Sequence, residues 1–212
     1  MSSVKWTFPV KNPVIKPGQI NSPFDTKIAG AGSVIQIDDE YLMYYWGSGK
    51  IGDCICAARS RVDSPNDWKG LGYIVKRDPK DAAVAVGARW PWAVKTDDGR
   101  VFLYFLGRYS GKRKMLGPGG FLPFSFCLKI SDDNGKTWQN IYKDILVPEK
   151  SYEKEGLGSC CIAQIKNTFY MYYTAVSLFE PEPAASSQKD RKKHGRMGIG
   201  IAVSDDGIIW RM

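Results

Sequence analysis

Few side-chain combinations in this chain are equipped for chemistry. Its single histidine, His194, lies in the charged stretch Lys189-Asp-Arg-Lys-Lys-His-Gly-Arg196, so neither a Ser-His-Asp triad nor a histidine metal cluster can be assembled. The five cysteines (Cys54, Cys56, Cys127, Cys160 and Cys161) are odd in number and include no CxxC pair. They argue against a disulfide framework or a zinc site and read as buried free thiols in apolar strands. Gly117-Pro-Gly-Gly120 precedes no helix and is not a phosphate loop. Neither a cofactor nor a metal is expected. Carboxylates beside aromatics remain. Glu155 immediately precedes an apolar strand-like run, Asp25 follows Pro23 ahead of another, and Asp81 precedes a third. Phe24, Trp46, Trp90 and Trp92 offer flat aromatic faces on which a ligand ring could stack, with packing between sheets as the competing use. Arg89 could clamp a carboxylate or a hydroxyl.

The elements that must position these groups repeat. Gly32-Ser-Val-Ile-Gln-Ile-Asp-Asp-Glu-Tyr-Leu-Met-Tyr-Tyr-Trp-Gly47 matches Pro91-Trp-Ala-Val-Lys-Thr-Asp-Asp-Gly-Arg-Val-Phe-Leu-Tyr-Phe-Leu-Gly107. Both match Cys160-Cys-Ile-Ala-Gln-Ile-Lys-Asn-Thr-Phe-Tyr-Met-Tyr-Tyr-Thr-Ala175. Each is an apolar strand, a polar turn and an aromatic strand, followed later by a tryptophan: Trp68, Trp138 or Trp210. A repeat built only from hairpins predicts an all-β fold, the β-propeller, with each copy one blade of about four strands. The first blade is expected over residues 31–70, the second over 84–147 and the third over 156–212. Residues 1–30, rich in proline, form a leading strand and loop. Tyr109–Phe121 and Val176–Arg196 read as long loops, and no helix is expected. The turns Ser131–Trp138 and Ser204–Trp210 read as scaffold: the Asp bonds turn amides, a glycine supplies positive φ and the Trp packs between blades. Their aspartates are therefore not catalytic candidates.

Bulk properties narrow the partners. At 212 residues with 43% hydrophobic content the chain can bury a sizeable core. No run reaches the roughly 18 apolar residues of a membrane span. The N-terminus lacks the order of a signal peptide, which together with free thiols predicts a cytoplasmic protein. A net charge of +8 favours anionic partners such as acidic glycans or nucleic acid. Lys189–Arg196 reads as a solvated loop rather than a nucleic-acid patch.

The pattern small-x-Ser-Val-Ile-x-x-Asp-x-x-Tyr-x-Met-Tyr-Tyr-x-Gly, followed by a Ser/Asp turn and Trp, resembles the five-bladed propeller glycoside hydrolases, the group holding families 43, 32, 68 and 117. The resemblance spans nearly the whole chain and accounts for the first three of five blades. It implies either further C-terminal blades or self-association, because three blades do not close a ring. It also implies three channel acids: an Asp of the first blade as base or nucleophile, an Asp of the second stabilising the transition state, and a Glu of the third as general acid. Glu155-Gly156 matches the third, and Asp25 in Ser22-Pro-Phe-Asp25 resembles the first. In the second, Arg89-Trp90-Pro91 stands where invertase-like members have Arg-Asp-Pro, so the Asp is replaced by Trp90 and Asp81 is the substitute. The resemblance implies a carbohydrate-cleaving enzyme working by carboxylate acid–base chemistry. The alternatives are a non-catalytic carbohydrate-binding propeller, which the loss at Trp90 favours, and a sialidase-like propeller, which would need Arg59, Arg89 and Arg108 to cluster around a carboxylate.

Overall fold

A computed structural model describes residues 12–109, 124–153, 156–178 and 195–212. Glu155, His194, the Gly117–Gly120 run and most of the two long loops lie outside these residues. Eleven strands follow one another: β1 (Ile28–Ile37), β2 (Glu40–Gly49), β3 (Gly52–Arg61), β4 (Lys69–Val75), β5 (Gly87–Lys95), β6 (Val101–Arg108), β7 (Phe124–Ser131), β8 (Tyr142–Leu146), β9 (Gly156–Ile165), β10 (Thr168–Leu178) and β11 (Gly195–Ser204). Each of β1–β4, β5–β8 and β9–β11 is an antiparallel meander. The first two meanders are joined by a single parallel bridge, Asp53 to Gly87.

The first strands of the meanders lie side by side. β5 packs against β1 on one side and β9 on the other. The Ala93 amide donates to Ser33 Oγ at 2.6 Å, and Trp92 Nε1 donates to the Ile162 carbonyl at 2.9 Å. β1, β5 and β9 are thus successive inner strands, and the sheets fan outward from them as an arc of a β-propeller. Strand alternation produces the two junctions. Leu42, Tyr44, Ile55 and Ala57 of the first sheet meet Val101, Leu103 and Phe105 of the second. The other face of the second sheet, with Phe102, Tyr104, Leu106 and Leu128, meets Ile162, Phe169, Met171 and Tyr173 of the third. Burial on both faces is why Val101–Leu106 is an unbroken apolar run rather than an alternating one.

The hairpin turns lock the junctions. Trp138, after β7, sets its edge on Tyr44 at 5.6 Å between centroids, and Trp210, after β11, meets Tyr104 at 6.0 Å. Asp133 Oδ1 accepts from the amides of Lys136 and Thr137, and Asp206 Oδ1 from those of Ile208 and Ile209. Gly135 and Gly207 have φ of +81° and +74°, and a Cβ on either would stand 2.5 or 2.7 Å from the hydroxyl of Tyr44 or Tyr104. Only glycine meets both demands.

The fourth strand of the first sheet starts just after Trp68, which packs against the cluster of Tyr45, Cys56 and Ala58 and delivers the chain to β4. Residues 142–146 form the outer strand of the second sheet by pairing with β7. Several elements differ from expectation. The third sheet has three strands among the described residues, with an isolated bridge between Val203 and Arg211 in place of a fourth. The loop expected at Val176–Arg196 is shorter, since β10 runs through Leu178 and β11 starts at Gly195. Two 3-10 turns, Ala82–Val84 and Ser151–Glu153, are too short to leave a periodic signal.

Candidate functional site

Polar and aromatic groups gather where β3 and β5 begin and β6 ends. Gly87 opens β5 directly beside Asp53, which sits near the start of β3; its φ is +134°, and a Cβ there would stand 2.6 Å from the Asp53 carbonyl. This close approach brings Asp53 within reach of the second sheet. Asp53 Oδ2 accepts from Arg89 Nε at 2.6 Å and lies 3.7 Å from the Arg108 guanidinium, while Oδ1 accepts from Trp46 Nε1 at 3.3 Å. The Arg89 guanidinium also lies over the Trp46 ring, 4.7 Å from its centroid. Gly87 pairs with Arg108 and Arg89 with Leu106, so the two arginines are diagonal neighbours on adjacent strands. Two guanidiniums share one carboxylate. Their side chains are 24% and 23% exposed, and Arg108 Nε is buried with no hydrogen-bond partner among the described residues.

Trp90 adjoins this cluster in a β-bulge between Arg89 and Trp92. Its φ is +50°, a conformation that costs a bulky residue about 1–3 kcal/mol and is held only where the surroundings impose it. Its ring rests 5.9 Å from that of Phe124. The inner strands β1 and β9 carry bulges near their own starts, between Gly30 and Ser33 and opposite Tyr173–Ala175. Bulges sharpen the local twist and re-aim side chains, and they recur here at the same end of all three inner strands.

The residues singled out from the sequence are distributed unevenly. Trp46 and Arg89 meet, with Trp90 next in the chain. Trp92 is tied to the Ile162 carbonyl and packs, with Trp90, in the junction of the second and third sheets. Phe24 and Asp25 lie elsewhere, on the face of the first sheet turned away from the second. Asp25 is fully buried: its Oδ2 accepts from Tyr45, which also accepts from Asn21, and its Oδ1 has no partner. Phe24 packs edge-on against Tyr73 of β4. Asp81 accepts from the Ala83 amide at 3.0 Å and pairs with Lys143 of the outer strand β8 at 2.9 Å. Arg59, the third member of the proposed arginine cluster, instead faces Glu40 at 3.8 Å, so only Arg89 and Arg108 converge. Glu153 is buried, bonds Tyr173, and accepts from the amides of Glu149 and Lys150, fixing the turn just before Glu155. Burial first, and then this bond to Glu153, push the Tyr173 phenol well above its ordinary pKa.

Asp53 is a functional candidate that reading the sequence missed, and Arg108 was named only as part of a three-arginine cluster, without this carboxylate. Asp53 looks like a turn residue after Gly52, and Arg108 like a strand end. Only the Asp53–Gly87 bridge, a contact between sheets, makes them neighbours. Among the described residues no three His, Cys, Asp or Glu side chains gather as a metal would need. A cavity of about 750 Å³ is lined by residues including Lys16, Gln19, Asn66 and Trp68, and none of the arginine cluster borders it.

No protein-family model and no curated sequence relative matches the chain. Solved structures do resemble it. A family 117 glycoside hydrolase, Zg3597 from the marine bacterium Zobellia galactanivorans, superposes with a TM-score of 0.65 at 15% identity, covering 93% of this chain and 58% of its own. A thermostable family 43 glycoside hydrolase gives 0.60 at 17% identity over 89% and 55%. A member of family 130, described as mannoside phosphorylases that include β-1,2-mannoside hydrolases, gives 0.64 at 15% over 99% and 60%. The fold is therefore the propeller seen in glycoside hydrolases, and the chain spans 55–60% of the length of these three structures.

Proposed function

We propose that this chain is the sugar-handling part of a glycoside hydrolase-like propeller, acting on a poly- or oligosaccharide by carboxylate acid–base chemistry. The reading rests on one observation: Asp53, Arg89, Arg108 and Trp46 meet where β3 and β5 begin, with the strained Trp90 next in the chain. Aromatic faces beside fixed charges are what a sugar site requires, since the ring's C–H face and its hydroxyls must be satisfied together. Glu155 directly precedes the inner strand β9 and is assigned as general acid. Glycoside cleavage needs one protonated and one ionised carboxyl on opposite sides of the bond. Asp25 as base and Asp81 as the second-sheet acid complete the assignment, and each would have to leave its present partners to act. In the whole protein this reading calls for a closed ring of five blades around the channel.

Glu155→Gln tests it. Turnover on a glycoside panel should fall about 10²–10⁴-fold, the usual contribution of a general acid, with sugar affinity retained. Unchanged turnover removes Glu155 from the mechanism. The second reading, a carbohydrate-binding propeller without catalysis, is favoured by the complete burial of Asp25 and the ion pair at Asp81. It predicts sugar binding with no turnover in the unaltered protein.

A further inference from the structure

We infer that the Arg89–Arg108 pair selects an anionic sugar, a uronate or a sulfated residue, and this rests on the carbohydrate reading above. One arginine is enough to tie the two sheets together at Asp53, and Arg89 does so with a 2.6 Å hydrogen bond. Arg108 is surplus to that task. At 3.7 Å it makes no hydrogen bond to Asp53, and its buried Nε donates to none of the described residues. Two diagonal guanidiniums also repel unless a second negative charge joins them. Asp53 supplies one such charge, so the cluster carries a formal charge of about +1. A carboxylate or sulfate is the group whose geometry fits a guanidinium fork, and with Nε enclosed the fork that the 23% exposed Arg108 side chain can offer is its Nη pair. The chain's net charge of +8 would draw such a ligand in from solution. A neutral sugar would leave the excess charge uncompensated. The same arrangement explains why only two of three candidate arginines cluster: Arg59 already has Glu40.

The experiment is a glycan array probed with the 212-residue chain, followed by calorimetry on the strongest anionic ligand and on the same ligand with its carboxyls reduced or its sulfates removed. The anionic form should bind at least tenfold tighter. In Arg108→Gln, checked for an unchanged unfolding midpoint, the two forms should differ by less than about twofold, and Arg108→Lys should restore part of the preference, because a point charge without the fork replaces only the Coulomb part. Binding confined to neutral glycans, or a preference that survives Arg108→Gln, overturns the inference while leaving the carbohydrate reading in place. An array with no ligand of either kind overturns both.

Discussion

Tyr44, Tyr104 and Tyr172 occupy the same place in three successive sheets, yet only the first two are enclosed. Tyr44 and Tyr104 are 1% and 0% exposed, each under a glycine turn and a tryptophan from the next sheet; Tyr172 is 48% exposed. Around it Ile165, Met197, Ile199 and Ile201 are exposed as well. The opposite end of the arc differs again. The outer face of the first sheet, with Tyr45, Cys54, Cys56 and Ala58, is covered by Ile15, Ile20 and Phe24 of the leading segment. The same hairpin therefore exists in a closed and an open form within one molecule. The repeat builds a blade, and the following sheet supplies the burial that makes the blade stable.

Substitutions should separate the two forms. The largest effect is expected at Phe102, fully buried and stacked 5.8 Å from Phe169: Phe102→Ala should cost about 3–5 kcal/mol in urea unfolding. Asp53→Ala should cost about 3 kcal/mol, because it strands two arginines at a junction. A cost near zero would mean that the pair is not held by Asp53. Ile199→Ala, at 84% exposure, should move stability by no more than about 0.5 kcal/mol. Thiol chemistry gives a readout independent of stability. Cys161 is exposed on the open face and the other four cysteines are buried, with burial pushing the Cys127 thiol up to about 11. A maleimide should label one cysteine in the native protein and all five after denaturation, with Cys161 identified by peptide mapping.

The smallest effect is a pH dependence at a closed turn. The Thr137 hydroxyl, with the turn amides and Ser131, holds the Asp133 carboxyl down to about 2, against an ordinary value of 3.8. A depressed folded-state value contributes stability that is present above 3.8 and is lost as pH falls toward 2. Urea midpoints between these pH values should decline less steeply in Asp133→Asn than in the unaltered protein. Equal slopes would show that the turn does not favour the ionised form.

The scaffold was legible because its signals are local. Ser131–Trp138 and Ser204–Trp210 announce turns whose tryptophans pack on the preceding sheet, and the apolar runs Val101–Leu106 and Phe169–Tyr173 announce strands. The site was only partly legible. Arg89, Trp46 and Trp90 are conspicuous by type, whereas Asp53 and Arg108 gain meaning from one bridge between sheets. The surroundings of Asp25 were illegible for a similar reason: a carboxylate after a proline ahead of a strand has the local look of a channel acid, and nothing local announces its bond to Tyr45, twenty residues away.

In the proposed function, sugar meets the chain at the starting ends of β3 and β5. The most direct measurement is a titration of the array ligand followed through the indole N–H resonances of the seven tryptophans. Trp46, whose indole bonds Asp53, and Trp90 should shift, while Trp138 and Trp210 in the hairpin turns stay in place. Shifts at Trp68, beside the large outer cavity, with Trp46 and Trp90 silent, would contradict the claim and move the binding site to the rim of the first sheet.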